Sequence, residues 1–468
     1  MPRFLLAVVL SAAFVLPTFA ADWSTNRGNA QRTGQIDALP GPTTPKVLWV
    51  HASEDHFIAA PVAGPNAVYV SGLGALNTSS FQALSTDPAA KSRIAWSKTA
   101  PYLKLPVASA PAVSNGLLVF GDGMHQTDGG ILHCLRTDTG SPLWQLPLPG
   151  ELVHLEGSPT IAHNRVYMGG GNAGVVCVEL EKLKLAGQTL DRATAQKRLD
   201  DEWKKLLAKY EADKKKDPDF AFPPSDEALT KPEPIVVWQQ GAKKWHVDAS
   251  VAVVGDAVLV ASGFLDVEKT GERAVFSLNA ADGTERWKVS LQHNPWAGAT
   301  VSGDTVLVGC SNIRFDPKFV AQGQGEVVAI SLATGKVLWQ KKVTGGVVSA
   351  IAAAEGLAIF TATDGKLRAF DIATSRLKWT YDGKTPFFAG PAVAAGTIYV
   401  ADLAGIVHAV ELTSGRKLWT LDLANDPAVR APGMVYGSPI IQGGRLYLAT
   451  CNLDRDQRGT VVVCVGEK

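Results

Sequence analysis

The sequence predicts an all-β fold: an eight-bladed β-propeller closed by an N-terminal strand, with one helical insertion in the third blade. Three observations carry that reading. A unit made of a Gly-containing turn and a Trp recurs along the chain. A second unit, two small residues followed by two apolar runs around a tight turn, recurs between its copies. The two kinds of unit are offset by one strand at the chain ends. Self-similarity at a period of about 40 to 50 residues marks propellers and solenoids, and all-β closed folds absorb 468 residues as one unit.

The chain opens with Arg3, the apolar stretch "FLLAVVLSAAFVL" and Thr18-Phe19-Ala20. These are the charged, apolar and small-residue parts of a secretory signal peptide over residues 1–21, too short an apolar run to span a bilayer. No Cys follows it to carry a lipid anchor, and no later segment approaches a membrane span. The expectation is an exported protein, periplasmic or secreted, with no integral membrane segment. Residues 22–45 form a lead-in, and the propeller is expected over 46–468.

Each repeat offers four short strands. The first two form a hairpin, seen best in "SAPAVSNGLLVF", "GSPTIAHNRVYM", "AGPAVAAGTIYV" and "GSPIIQGGRLYL". Val-, Ile- and Leu-rich runs bounded by Gly, Asn and Asp are strand signals, and the turns Asn115-Gly116 and Gly443-Gly444 suit hairpins. The small pair at the head of each first strand fits crowding at a common axis. The third and fourth strands are typified by "EVVAISL" and "KVLW" around Thr334-Gly335. Four-stranded units repeated around an axis are propeller blades.

The fourth strands end at Trp49, Trp96, Trp144, Trp238, Trp287, Trp339, Trp379 and Trp419. A large ring at a fixed place on each outer strand fills the wedge between blades, and its N–H needs an acceptor, expected from the preceding turn. Trp49 precedes the first hairpin, while the last hairpin and "TVVVCV" have no Trp strand after them. The strand near residue 48 therefore completes the last blade and removes an exposed sheet edge. On this reading, deleting residues 22–52 exposes that edge, and a deletion ending at Ala38 is milder.

One segment breaks the period. Residues 181–234 replace a Thr-Gly turn of the third blade with a charged, then Pro-rich, insertion. Leu199, Trp203, Leu206 and Tyr210 recur at helical spacing as one apolar stripe. A helical arm is expected on the face opposite the long loops. It either lies on the propeller's own flank or serves a partner.

The 45 basic and 44 acidic residues nearly cancel, so nothing global steers the chain toward nucleic acid. Its five Cys make no C-x-x-C pair. They read as small buried hydrophobes, with a Cys451–Cys464 bridge as the alternative.

The segments "AFDIATSRLKW" and "AISLATGKVLW" match most of an Ala-x-Asp-x-x-Thr-Gly-x-x-x-Trp pattern. With the lead-in "DWSTNRGNAQRTG", the chain resembles the pyrroloquinoline-quinone (PQQ)-type propeller repeat family over nearly its whole mature length. Two branches of that superfamily bear on function. Quinone-dependent dehydrogenases hold the quinone over the axis with Ca²⁺, a stacking Trp, an Asp base and often a disulfide between adjacent Cys. No two Cys are adjacent here, and no C-x-x-C-H is present. The second branch is the lipid-anchored propeller scaffolds of the outer-membrane barrel assembly machinery, which implies a protein partner and no cofactor.

The loops joining second to third strands and blade to blade share one face, where "GDGMHQTDGG", "GFLDVEKTGE", "SNIRFDPKFVAQGQG" and "CNLDRDQRG" gather. That is the expected binding face. One residue before each small pair aims near the channel mouth: Ile58, Ala108, Glu156, Asp248, Ala297, Val348, Phe388 and Tyr436. Glu156 and Asp248, on neighbouring blades, are the candidate ligands for a hard cation such as Ca²⁺, or a base and its orienting group, or simply a hydrogen-bonded rim. Trp296 is the candidate stacking surface for a quinone cofactor. His56, His154, His246 and His293 lie in blade-to-blade loops, but no H-x-H or H-E-x-x-H pattern groups them for metal binding.

The expected function is a non-catalytic, monomeric, exported scaffold binding a protein partner of the envelope. The alternatives are a PQQ- and Ca²⁺-dependent oxidoreductase and a glycan-binding or glycan-cleaving propeller.

Overall fold

The computed structural model describes residues 23–36, 39–74, 78–125, 127–265, 271–313, 317–431, 433–452 and 459–468. The expected signal peptide lies outside them, as do parts of all four long loops. Eight antiparallel sheets follow one another in chain order, seven with four strands and the third with five. Their first strands run Val62–Ala63, Ala112–Ser114, Thr160–Ala162, Ala252–Val254, Ala299–Ser302, Ala352–Ala354, Ala392–Ala394 and Ile440–Gln442. The core lies between adjacent sheets: Ile359, Leu367 and Ala369 of the sixth blade pack with Val393, Ile398 and Val410 of the seventh.

Near the axis, neighbouring first strands approach closely. A Cβ on Gly157 would lie 2.7 Å from the carbonyl oxygen of Asp248, and one on Gly437 would lie 2.5 Å from that of Ala59. Only a hydrogen fits there, which is the physical content of the repeated small pair. The ring closes as the offset of the two units implies. The strand Pro45–Ser53 pairs antiparallel with Thr460–Glu467, with Trp49 opposite Cys464. All five Cys are buried and none is bridged, so Cys451 and Cys464 follow the buried-hydrophobe reading.

The Trp rings join blade to blade. Each acceptor comes from the next blade, not from the preceding turn. Trp287 Nε1 donates to the Leu332 carbonyl at 2.8 Å, Trp339 to Ile372 at 2.7 Å, and Trp379 to Leu412 at 2.9 Å. The same next-blade turn brings its Gly under the ring: a Cβ on Gly335 (φ +71°) would lie 2.8 Å from Trp287. One turn thus needs a left-handed residue and no side chain at the same position. Trp96, Trp144 and Trp238 donate in the same way, Trp419 donates to the Pro42 carbonyl just ahead of the closing strand, and the Trp49 Nε1 is buried without a hydrogen-bond partner.

The lead-in does more than precede the first blade. Residues 23–36 thread the hairpin end of the axis, and the carbonyls of Trp23, Ser24, Ala30, Gln31, Thr33 and Gly34 accept from first-strand N–H groups of six blades at 2.7 to 2.9 Å. Arg32 covers the third blade, donating to the Ser158 and Pro159 carbonyls and to Thr160 Oγ1. The Gln442 side chain of the eighth blade accepts from Trp23 N–H at 2.9 Å. First strands at a shared axis have no neighbour to satisfy their inward groups, and the plug supplies one.

The insertion starts as an extension of its third strand, Val175–Leu185, which turns back as Gln188–Asp191. Helix α1, Arg192–Lys216, follows, capped by the Asp191 carboxylate on the Thr194 N–H. Ala195 and Leu199 are buried, and Trp203 and Leu206 pack against the same core. α1 lies on the hairpin face, where Arg192 donates to the Asn115 carbonyl at 2.8 Å. The Pro-rich return then covers the outer strand of the second blade, the Pro232 carbonyl accepting from Gln145 N–H at 3.0 Å. Trp144 is accordingly 1% exposed, whereas Leu338 on an uncovered outer strand is 50% exposed.

Candidate functional site

The face opposite α1 opens into an axial cavity of about 410 Å³. All eight residues read from the sequence as aimed at the channel mouth line its wall, together with Trp296, and Arg27 of the lead-in lies beneath them. The indole of Trp296 is held by a 2.9 Å hydrogen bond from Nε1 to the Ile313 carbonyl.

Arg27 gives the floor its charge, and Arg32 is a second buried guanidinium of the lead-in. Both are buried, and among the described residues neither meets a carboxylate. Arg27 donates from Nη2 to the Pro391 carbonyl at 2.5 Å, but its Nε and Nη1 have no hydrogen-bond partner. Burial pushes the Arg27 guanidinium down to about 9, and burial together with the neighbouring Arg27 charge does the same to Arg32.

The third- and fourth-blade side of the mouth is a polar cluster. Glu156 and Asp248 do not face each other directly, because His154 stands between them. Its Nδ1 is 3.5 Å from Glu156 Oε1, and its Nε2 is 3.6 Å from Asp248 Oδ1. His246 Nε2 lies 3.1 Å from the same Asp248 oxygen. His125, from the loop between strands Leu117–Gly121 and Gly130–Arg136, places Nδ1 4.0 Å from Asp248 Oδ2. One ligand atom from each of His125, His154, His246 and Asp248 falls within 4.8 Å of the others.

His154 is fully buried, and neither ring nitrogen makes a hydrogen bond. Burial, only partly offset by the Asp248 charge, pushes its pKa down to about 4. Burial alone would raise the Asp248 carboxyl. The His246 contact and the fields of His154 and His125 outweigh that and hold it below the usual range.

The grouping has a sequence signal that pattern searches for H-x-H passed over. His154-Leu155-Glu156 and His246-Val247-Asp248 place a His two residues before each mouth carboxylate, in the same loop of successive blades. Residues at this spacing in extended chain share a side, so both imidazoles turn toward the mouth with their carboxylates. His125 carries no such signal, since its loop is irregular. His56 and His293 take no part in the cluster: His56 Nδ1 accepts from Asn452 N–H at 3.0 Å, and His293 lies beside Glu326.

A family model described as "Outer membrane protein assembly factor BamB" matches residues 30–197 and 316–454. The BamB proteins of Yersinia pestis (29% identical over 237 residues, 47% of this chain and 58% of that protein) and Francisella salina (30% over 158 residues, 33% and 28%) are similar. These alignments span about a quarter to three-fifths of the relatives' own length. Among solved structures, BamB from Moraxella catarrhalis aligns with a TM-score of 0.58 at 12% identity, covering 90% of this chain and 97% of that one. A europium-containing methanol dehydrogenase aligns at 0.63 and 13% identity, covering 96% and 98%. At such identities the structural likeness speaks for the fold.

Proposed function

The chain belongs to the family described as outer membrane protein assembly factor BamB, and on that premise we propose that it is an exported envelope scaffold that binds a protein partner during outer-membrane protein assembly. The family match over residues 30–197 and 316–454 is the observation that carries this reading. No helix among the described residues is long and apolar enough to cross a membrane.

The insertion supplies a surface suited to a partner. Beyond its packed first half, α1 exposes Leu207, and the segment after it leaves Phe220 and Phe222 78% and 79% exposed. Two aromatic rings held in water beside the basic end Lys214-Lys215-Lys216 are anchors of the kind interfaces use. A photo-crosslinking residue placed at Phe222 should yield one discrete covalent adduct with an envelope protein in cells. Failure to crosslink any protein from Phe222, or from the rim positions Ile58 and Ala297, contradicts the reading.

The cavity over the axis raises the quinone reading, and its residues argue against calcium. Ca²⁺ takes about six to eight oxygen ligands. Here the two mouth carboxylates each contact an imidazole, and Glu156 Oε1 already accepts from the His125 backbone N–H at 2.6 Å. Among the described residues this donor set favours the scaffold reading over a calcium-quinone site.

A further inference from the structure

The rim cluster carries an inference independent of the scaffold reading. We propose that His125, His154, His246 and Asp248 bind a divalent transition-metal ion of the zinc class at the wall of the axial cavity.

The first argument is polar satisfaction. His154 is fully buried with both nitrogens unbonded, and Asp248 Oδ1 has no hydrogen-bond donor aligned on it. Leaving such buried groups unmet is unfavourable, and a cation between His154 Nε2 and Asp248 Oδ1 meets both at once.

The second is orientation. The Asn172 amide has its direction fixed, because Nδ2 donates to the Glu151 carbonyl at 3.2 Å. Its Oδ1 then faces His246 Nδ1 at 2.8 Å, which makes that nitrogen the N–H. In the neutral ring the Nε2 lone pair points at Asp248 Oδ1, 3.1 Å away. Two lone pairs at that separation repel unless a positive charge sits with them, either a proton on Nε2 in the empty site or a metal ion in its place. His154 repeats the arrangement, its outer nitrogen toward Glu156 and its inner nitrogen toward Asp248. An acceptor behind each imidazole, fixing the tautomer and aiming the other nitrogen inward, is how proteins present His to a metal.

The third is the donor set. Three imidazoles and one carboxylate suit zinc and its neighbours, not the hard cations. Tetrahedral zinc with bonds of about 2.0 to 2.1 Å sets its donors roughly 3.4 Å apart. His246 Nε2 and His154 Nε2 lie 3.1 and 3.6 Å from Asp248 Oδ1, on either side of that value, and one donor atom from each of the four residues falls within 4.8 Å of the others.

The test uses the purified full chain, stripped with a chelator and confirmed folded. Co²⁺ should produce the visible absorption of a four-coordinate site at one equivalent, Zn²⁺ should displace it, and millimolar Ca²⁺ should not. His125, with a side chain 25% exposed at the rim, can be truncated without opening the core, so His125→Ala should stay folded and lose the cobalt band. Asn172→Ala, which touches His246 and not the ion, should weaken Zn²⁺ binding by about 10- to 100-fold. A folded wild-type chain that takes up neither Co²⁺ nor Zn²⁺ overturns the proposal. So does unchanged affinity in both variants.

Discussion

At the scale of single residues, the repeat is a contact between neighbours. The Gly of each Thr-Gly turn lies under the Trp of the blade before it, so left-handed backbone and ring contact coincide. Gly415→Ala should therefore cost more than strain alone: Cβ would meet the Trp379 ring at 2.6 Å at a φ of +71°. Gly396, with a similar φ of +76° and nothing within 4 Å, isolates the strain. Urea unfolding should show a loss of about 1 kcal/mol for Gly396→Ala and about 2 to 4 kcal/mol for Gly415→Ala, where overpacking adds. Equal losses would contradict the contact. A second residue-scale prediction concerns acid. Burial alone would raise Asp364, but the Arg368 guanidinium and the Thr344 hydroxyl hold it below the usual carboxylate range. A depressed folded pKa stabilises the fold above the unfolded value of about 4 and is lost as pH falls through the folded one. Arg368→Met should then be destabilised by about 1 to 3 kcal/mol at neutral pH and by less near pH 3. A loss independent of pH would count against it. The Trp period was legible because it recurs in one dimension. The acceptor was not, because it lies a whole blade away in sequence, as with Trp339 and Ile372.

At the scale of elements, the seam, the plug and the insertion divide the work of holding the ring. The offset of hairpin and Trp units announced the seam, and Pro45–Ser53 fills it. From sequence alone the lead-in only precedes the first blade, and a deletion ending at Ala38 is the milder of the two. The plug gives even the shorter deletion a substantial cost, since six first-strand N–H groups take their acceptors from residues 23–34. Losing a buried acceptor costs about 1 to 3 kcal/mol, a sum that rivals a whole domain's stability of about 5 to 15 kcal/mol before water refills the axis. Deletion through Ala38 should lower the melting temperature markedly yet leave a monomer, while deletion through residue 52 should also aggregate. Unchanged melting after the shorter deletion would show that the plug is dispensable. The stripe Leu199, Trp203 and Leu206 was legible as amphipathic, but the sheet it would cover was not. It packs beside the second blade, so replacing residues 186–233 with a short turn should cost a few kcal/mol, roughly 1.5 to 3 for each large apolar side chain re-exposed, less the ordering entropy recovered. Calorimetry of the two proteins checks this, and identical curves would mean the packing is idle.

At the scale of the whole molecule, the ring presents two separate surfaces. One face carries α1 and the exposed Phe220 and Phe222; the other carries the axial cavity with its histidine cluster. The eight mouth positions were legible because each sits one residue before a small pair, and all of them line the cavity. The cluster was half legible, in the His that precedes Glu156 and Asp248 by two residues. Only the folded loop brings His125 to them. The central claim, that this propeller serves outer-membrane protein assembly as a scaffold, is tested most directly by quantifying folded outer-membrane β-barrel proteins in cells of its native host that lack the chain. The account predicts that these levels fall, recover with the full chain, and recover less with a chain carrying Phe220→Ser and Phe222→Ser. Unaltered barrel levels, together with loss of a dye-linked alcohol or sugar oxidation, would contradict it.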